Sequence, residues 1–181
     1  KGEIAYRVPD YDAAIRYLST YLQSGAAAQG EATTSTAKYD LGYSWMKKEN
    51  YKQAMGNFEA LAKSNTTATA VEQDAYVRNA DCYFMTKDFA KAGSMYDVVL
   101  NNALPQSDYA LFQKALIAGI KSETVKISTL NNLIRLYPQS SLIPDATIEI
   151  ANTYMADEKF REAIPFLTSV LNNSKAGGLK P

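Results

Sequence analysis

Apolar residues recur at three- and four-residue intervals in blocks, and short polar interruptions separate the blocks. The clearest case begins at Ala37, where Leu41, Gly42 and Trp45 fall on one side of a helical period that ends near Lys47. Lys48-Glu49-Asn50 is a polar break. Tyr51, Ala54, Met55, Phe58, Leu61 and Ala62 then resume the period, which predicts a second amphipathic helix. Small residues at Gly42 and Ala54 allow two antiparallel backbones to approach closely, and Trp45, Tyr51 and Phe58 supply volume around that approach. The block therefore predicts a helical hairpin with a short connection.

The same block returns along the chain. Small residues pair at a separation of twelve in Gly2/Ala14, Gly42/Ala54, Ala80/Ala92 and Ala151/Ala163, and in Ala115/Ile127 with an enlarged second member. The steps between pairs are 40, 38, 35 and 36 residues, so length varies only between copies. A repeat at this period predicts stacked supersecondary units, each of which needs its neighbours to bury its apolar face.

The wording of the copies resembles the tetratricopeptide repeat. Leu41-Gly42-x-x-Trp45, then Tyr51 and Ala54-x-x-x-Phe58, follow that family's pattern. Asn79-Ala80-x-x-Tyr83 with Phe89 and Ala92-x-x-x-Tyr96 is similar. So is Ile150-Ala151-x-x-Tyr154 with Phe160 and Ala163-x-x-x-Leu167, and so is Gly2-x-x-Ala5 with Tyr11 and Ala14-x-x-x-Leu18. The fourth copy, Ala115 and Ala118 before Ile127, has no aromatic at its turn and matches least. The resemblance implies an all-α, right-handed superhelical solenoid of about five helical hairpins, the first truncated. Repeats are expected at about 1–30, 31–68, 69–106, 107–141 and 142–174, with 175–181 as a frayed tail. The first copy starts in mid-helix, so the chain is expected to be a fragment. The region from Tyr6 to Leu22, with a neighbour on one side only, is expected to be its least stable part.

Punctuation agrees with these boundaries. Ser24 to Thr36 is rich in small and polar residues, Ser64 to Thr69 is a shorter joint, and Asn101 to Asp108 ends one helix and offers caps for the next. Pro138 stops a helix after Tyr137, and Pro144-Asp145 starts another. Pro165 falls about one turn into the last amphipathic run, where at most a local kink is expected.

In the tetratricopeptide family the leading helices line the concave side. Carrying the family's contact positions over implies Tyr39, Tyr43 and Met46 in the second copy, and Val77, Asp81 and Phe84 in the third. It implies Tyr109, Phe112 and Leu116 in the fourth and Ile148, Asn152 and Met155 in the fifth, with Glu3 and Tyr6 in the first. Most are apolar or aromatic. Left exposed, such a stripe marks an interaction surface; packed between neighbouring leading helices, it is core, and both readings stand at this point. Some family members hold a C-terminal carboxylate with lysine, arginine and asparagine. Asp81 and Asn152 stand where that set is needed, so hydrophobic or extended-peptide recognition fits better.

Composition removes several chemistries. The chain has no histidine and one cysteine, Cys82, so imidazole-activated nucleophiles, histidine-based metal sites and intrachain disulfides are excluded. Cys82 reads as a buried packing thiol. Nineteen basic and nineteen acidic residues cancel, which argues against a nucleic-acid partner. Asp74, Asp81 and Asp145 read as solvated caps and polar surface, because nothing local drives their pKa values apart.

No catalytic residue, metal or cofactor is expected, and the leading reading is a non-catalytic scaffold binding a protein or peptide in the groove of its leading helices. Two others remain: capture of a glycan or nutrient, with Tyr39, Tyr43 and Tyr109 stacking on sugar rings, and recruitment for an enzyme whose catalytic domain lies elsewhere. The Tyr-Pro-Gln-Ser and Lys-Phe-Arg-Glu-Ala-Ile segments look like repeat proteins of the Gram-negative envelope, of the outer-membrane assembly lipoprotein and Tol-Pal-associated types. That resemblance implies a periplasmic or outer-membrane-associated location, with the cytoplasm as the alternative.

Overall fold

A computed structural model describes residues 10–25, 33–62 and 69–176. Among the described residues every regular element is an α-helix: α1 (Tyr11–Ser24), α2 (Thr34–Lys47), α3 (Tyr51–Leu61), α4 (Ala70–Met85), α5 (Phe89–Asn101), α6 (Ser107–Gly119), α7 (Glu123–Leu136), α8 (Ile143–Ala156) and α9 (Phe160–Ala176). None is long and apolar enough to cross a membrane. The leading arm of the first copy, with Gly2, Glu3 and Tyr6, lies outside the described residues.

The chain forms two compact units, residues 1–106 and 107–181. In the first, α1 to α5 pack each against the next, and the leading arms α2 and α4 also touch. In the second, α6 packs on α7, α7 on α8 and α8 on α9. The small residues do what their spacing requires. Ala14, Ala54, Ala80, Ala92, Ala115 and Ala151 have no accessible surface, and Ala163 has almost none. A Cβ built on Gly42 would lie 3.0 Å from Phe58 Cε1 and 3.1 Å from Asn57 Cβ, so α2 meets α3 at Gly42 with nothing to spare. Large side chains then close the gaps: Phe58 and Tyr96 are fully buried in the first unit, and Leu130, Leu133 and Ile150 in the second.

A single turn geometry explains the fixed separation of twelve in three hairpins. Glu49, Lys87 and Glu158 adopt left-handed φ values of 57°, 62° and 56°. The following amide then reaches back five residues. Asn50 N–H donates to the Trp45 carbonyl, Asp88 N–H to Tyr83 and Lys159 N–H to Tyr154, each at 2.9 Å. These bonds satisfy helix-end carbonyls, as a Schellman-type stop does. Asn50 Oδ1 and Asp88 Oδ1 next accept the amides of Gln53 and Lys91, and so start the second arms.

The fourth hairpin departs from this, as its sequence did. Its turn has no left-handed residue; Ser122 N–H donates to the Ala118 carbonyl, and Ser122 caps α7 through Val125 N–H. Gly119 takes the register position held by Met46, Phe84 and Met155 in the other copies. The Lys126 side chain lies across it: Cδ would be 2.6 Å from a Cβ there. Lys126 Nζ continues to Glu149 Oε1 of α8 at 2.5 Å. A glycine therefore opens a path for a lysine stem, and Ile127, half-buried on the core, replaces the small residue.

Helix boundaries follow the punctuation. Gly25 (φ 61°) ends α1 in the left-handed region, Thr33 and Thr69 form capping boxes for α2 and α4, and Pro144 stands in the first turn of α8. Pro165 is the sixth residue of α9, beyond the free first-turn amides, so a helical hydrogen bond to Arg161 is lost. The helix nevertheless runs on to Ala176, so the proline does not break it.

Candidate functional site

The leading arms α2, α4, α6 and α8 carry the residues that the family pattern picks out. Relative to the small residue of each copy, Tyr39, Val77, Phe112 and Ile148 share one register, and Tyr43, Asp81, Leu116 and Asn152 share the next.

In the first unit these positions are largely closed. Val77 has no accessible surface and serves as packing, so it cannot touch a partner; this corrects its place in the contact set. Tyr39, Tyr43 and Met46 are half-buried against the core around Phe58. The Tyr39 ring meets Phe58 edge-on at 5.8 Å and stacks on Tyr43 at 6.3 Å. Lys47 Nζ lies 5.1 Å from the Tyr43 ring centroid. Phe84 is half-buried, edge-on to Phe89 at 5.5 Å. Asp81, named as a contact residue, is instead held inside a polar network.

That network was not visible in the sequence. On α4, Asp74, Arg78 and Asp81 fall at i, i+4 and i+7, which aligns them on one helix face. Arg78 Nε donates to Asp74 Oδ2 at 3.1 Å, and Arg78 Nη1 donates to Asp81 Oδ2 at 2.8 Å. Tyr39 of α2 donates its hydroxyl to Asp74, and the Gln106 amide donates to the same carboxylate. Gln106 Oε1 accepts from Arg78 Nη2 at 2.6 Å, and the buried Tyr96 hydroxyl donates to Asp81 Oδ1 at 2.7 Å. The three charged side chains are only 12–20% exposed.

Asp74 and Asp81 are therefore ion-paired structural groups, and the expectation of solvated surface fails for both. Burial alone would raise the Asp74 pKa. The Arg78 hydrogen bond, then Tyr39, the Arg78 charge and Gln106, outweigh it and hold the carboxyl below its ordinary value. Burial likewise disfavours the Arg78 charge, but its bond to Asp74 and the charges of Asp81 and Asp74 raise its pKa. Cys82, one residue beyond Asp81, has no accessible surface, and burial, then the Asp81 charge, pushes its thiol up to about 12. It is a packing thiol with no thiolate to offer. Asp145 stays exposed in the first turn of α8, in the second unit.

The second unit leaves its arm open. Ile148, Asn152 and Met155 lie on one face of α8 at i, i+4 and i+7, and Ile148 and Met155 are 37% and 44% exposed. On α6, Tyr109 and Leu116 are half-buried, and Phe112 packs on the core around Leu130 and Ile150. Thr147 and Thr153, on the same helix as the open face, are buried and bond back to the Ile143 and Glu149 carbonyls at 2.7 Å. The α8 helix thus divides cleanly into an inner side and an apolar outer ridge.

No family model matches the sequence, and none of the curated proteins resembles it. Solved structures do. A MamA crystal structure superposes with a TM-score of 0.76 at 17% identity, covering 97% of this chain and 95% of that one. A tetratricopeptide repeat protein from Parabacteroides merdae gives 0.75 at 13% identity, covering 97% of this chain and 64% of that one. The apo form of RapI gives 0.80 at 10% identity, covering 97% and 69%. At these identities the likeness establishes the fold, an all-helical repeat of tetratricopeptide type, and nothing finer.

Proposed function

We propose that the protein is a non-catalytic scaffold that binds a protein or peptide through the leading arms, with the α8 ridge of Ile148 and Met155 as its main apolar contact. One observation carries this reading. The interior faces of the hairpins are closed by fully buried side chains, yet two large apolar residues remain accessible in the register that the family uses for contacts. Asn152 between them offers an amide that reads peptide backbone, and Leu116 and Phe112 on α6 hold the equivalent registers. Such a surface suits the apolar side chains of an extended or helical segment.

Sugar capture by Tyr39 and Tyr43 is less well supported, because those rings already stack on one another and Phe58 covers Tyr39.

The test is selection of binding peptides from a random display library, followed by titration of the best one against Ile148→Asp/Met155→Asp and against Tyr43→Ala/Phe84→Ala. The α8 pair is expected to weaken binding at least tenfold while helical content persists; the first-unit pair is expected to matter less. Equal binding by the α8 double variant rejects the ridge as the contact surface.

A further inference from the structure

The second arm of a hairpin carries a face onto which the leading arm of the next copy docks. The α3–α4 pair shows that face covered. Phe58 and Leu61 of α3 share one buried cluster with Ala75 and Cys82 of α4, and Met55 of α3 and Val71 of α4 pack against it. Beside them the Tyr83 hydroxyl of α4 donates to Glu59, and Ala62, one turn beyond Phe58, is buried. The α1–α2 pair repeats the arrangement. Leu18 follows Ala14 by four residues, as Phe58 follows Ala54, and it is buried in one cluster with Ala37. In the second unit, Leu130 and Leu133 of α7 are buried with Ala146 and Ile150 of α8.

The covering arms share a pattern. Ala37, Ala75 and Ala146 each stand five residues before the small residue of their copy, and all three are buried. A methyl at that point lets the arm lie close on the large side chains of the preceding helix. An apolar residue one turn away, Leu41, Val71 or Ile150, completes each face.

In α9 the same face is open. Phe160, Ile164, Leu167 and Leu171 hold the registers of Tyr51, Met55, Phe58 and Ala62, spaced by four, three and four residues. Leu167 is only half-buried, whereas Phe58 has no accessible surface, and Phe160, Ile164 and Leu171 are 59%, 59% and 60% exposed. Thr168 replaces Glu59, so the stripe carries no charge. The opposite side of α9 is anchored: Ala163 is buried, and Phe166 packs on the core around Leu130 and Ile150. No arm follows α9 among the described residues. Several large apolar side chains in one exposed line on a fixed helix make an interaction surface.

We infer that α9 docks an amphipathic helix of a partner protein, one that presents an alanine with an apolar residue a turn away. The contact continues the arm-on-arm interface already made by α1–α2, α3–α4 and α7–α8, and this precedent sets both the helical form and the small residue. It needs no ion pair. It stands independently of the α8 ridge, which lies on a different helix.

The probe is a covering arm of this chain supplied in trans: a synthetic peptide of residues 142–157, which carries Ala146 and Ile150. It is stapled away from those two residues, because short isolated helices are marginal in water. Titrated into the methyl-labelled full chain, it is expected to shift the Ile164 and Leu171 methyls saturably. The same peptide carrying Ala146→Phe is expected to bind at least tenfold more weakly, since the ring holds the helices apart. Ile164→Asp/Leu171→Asp in the full chain is expected to weaken binding at least tenfold and to keep its helical content, because both side chains are mostly exposed. Methyls that stay unmoved overturn the inference, as does equal binding of the two peptides. So does a dimer of the chain alone that the aspartate variant dissolves, because a second copy then covers the stripe. Where the aspartate variant folds poorly, the two peptides compared on wild-type protein decide the matter.

Discussion

Gly42 offers a test in which two opposing effects have comparable size. In a helix interior, replacing glycine by alanine stabilises by about 0.8–1.0 kcal/mol on propensity alone. At Gly42 the new methyl would meet Phe58 Cε1 at 3.0 Å and Phe58 Cζ and Asn57 Cβ at 3.1 Å. Favourable carbon–carbon contacts need about 3.5–4.0 Å. Relief requires Phe58 to move, and it has little freedom. Phe58 is fully buried, and Tyr39 caps its ring edge-on while its own hydroxyl is tied to Asp74. Overpacking of this kind costs about 1–3 kcal/mol, so Gly42→Ala is expected to destabilise by about 0–2 kcal/mol net.

The same chain contains its own controls. Cβ atoms built on the helical residues Gly56 and Gly93 meet nothing within 4 Å. Gly56→Ala and Gly93→Ala are therefore expected to stabilise by about 0.5–1 kcal/mol. Urea unfolding followed by far-UV circular dichroism and by fluorescence of Trp45, the only tryptophan, reads all three in the first unit. For a chain of this size 1 kcal/mol moves the melting temperature by about 2–4 °C, which is resolvable. Gly42→Ala stabilising as much as Gly56→Ala would refute the claim that the small residues are there for close approach of the arms.

Two further outcomes follow from the turn geometry and the α4 network. Glu49→Gly, Lys87→Gly and Glu158→Gly each relieve a left-handed residue, whose strain of about 1–2 kcal/mol exceeds the added unfolded-state freedom; each is expected to raise the denaturation midpoint slightly. Ile120→Gly, in the turn without a left-handed residue, is expected to lower it, and a gain there would contradict the geometric reading. Asp74 has a folded pKa below its unfolded value of about 3.9, so its contribution is complete above about pH 5 and is lost as pH falls through the folded pKa. Asp74→Asn should then flatten the fall in stability below pH 5. Arg78→Met, which strands two carboxylates, should cost about 3–5 kcal/mol at pH 7 and less in acid. Stability profiles of wild type and Asp74→Asn that stay parallel between pH 5 and 2 would remove the network from the account.

Much of the fold was legible because close helix approach leaves a mark on sequence: a small residue cannot be replaced at the crossing without a visible enlargement, as at Ile127. The turns were legible as polar breaks but not as left-handed, because Glu49, Lys87 and Glu158 are not residues that announce positive φ. The contact set was less legible. Val77 and Ile148 hold the same register, yet one has no exposed surface and the other is 37% exposed. Register fixes which way a side chain leaves its helix; only the neighbouring arm decides whether it meets protein or water. The α4 network was hidden for a related reason. The i, i+4, i+7 spacing of Asp74, Arg78 and Asp81 is a common surface pattern, and its burial depends on Tyr39, Tyr96 and Gln106, which are distant in sequence.

Because the copies share a backbone plan, they serve as an alignment of the chain against itself, and departures from the common residue separate two kinds of demand. Gly119 departs and is compensated: Lys126 fills the vacated space and gains an ion pair with Glu149, so packing explains the change. Asp81 departs from Tyr43 and is compensated by Arg78 and Tyr96. Asn79 departs from Leu41 and Ile150, but the fourth copy departs at the same register with Lys114, so the register itself admits polar side chains. The two compensated departures are therefore set by local packing, and the one at the Asn79 register by a position that the copies leave variable.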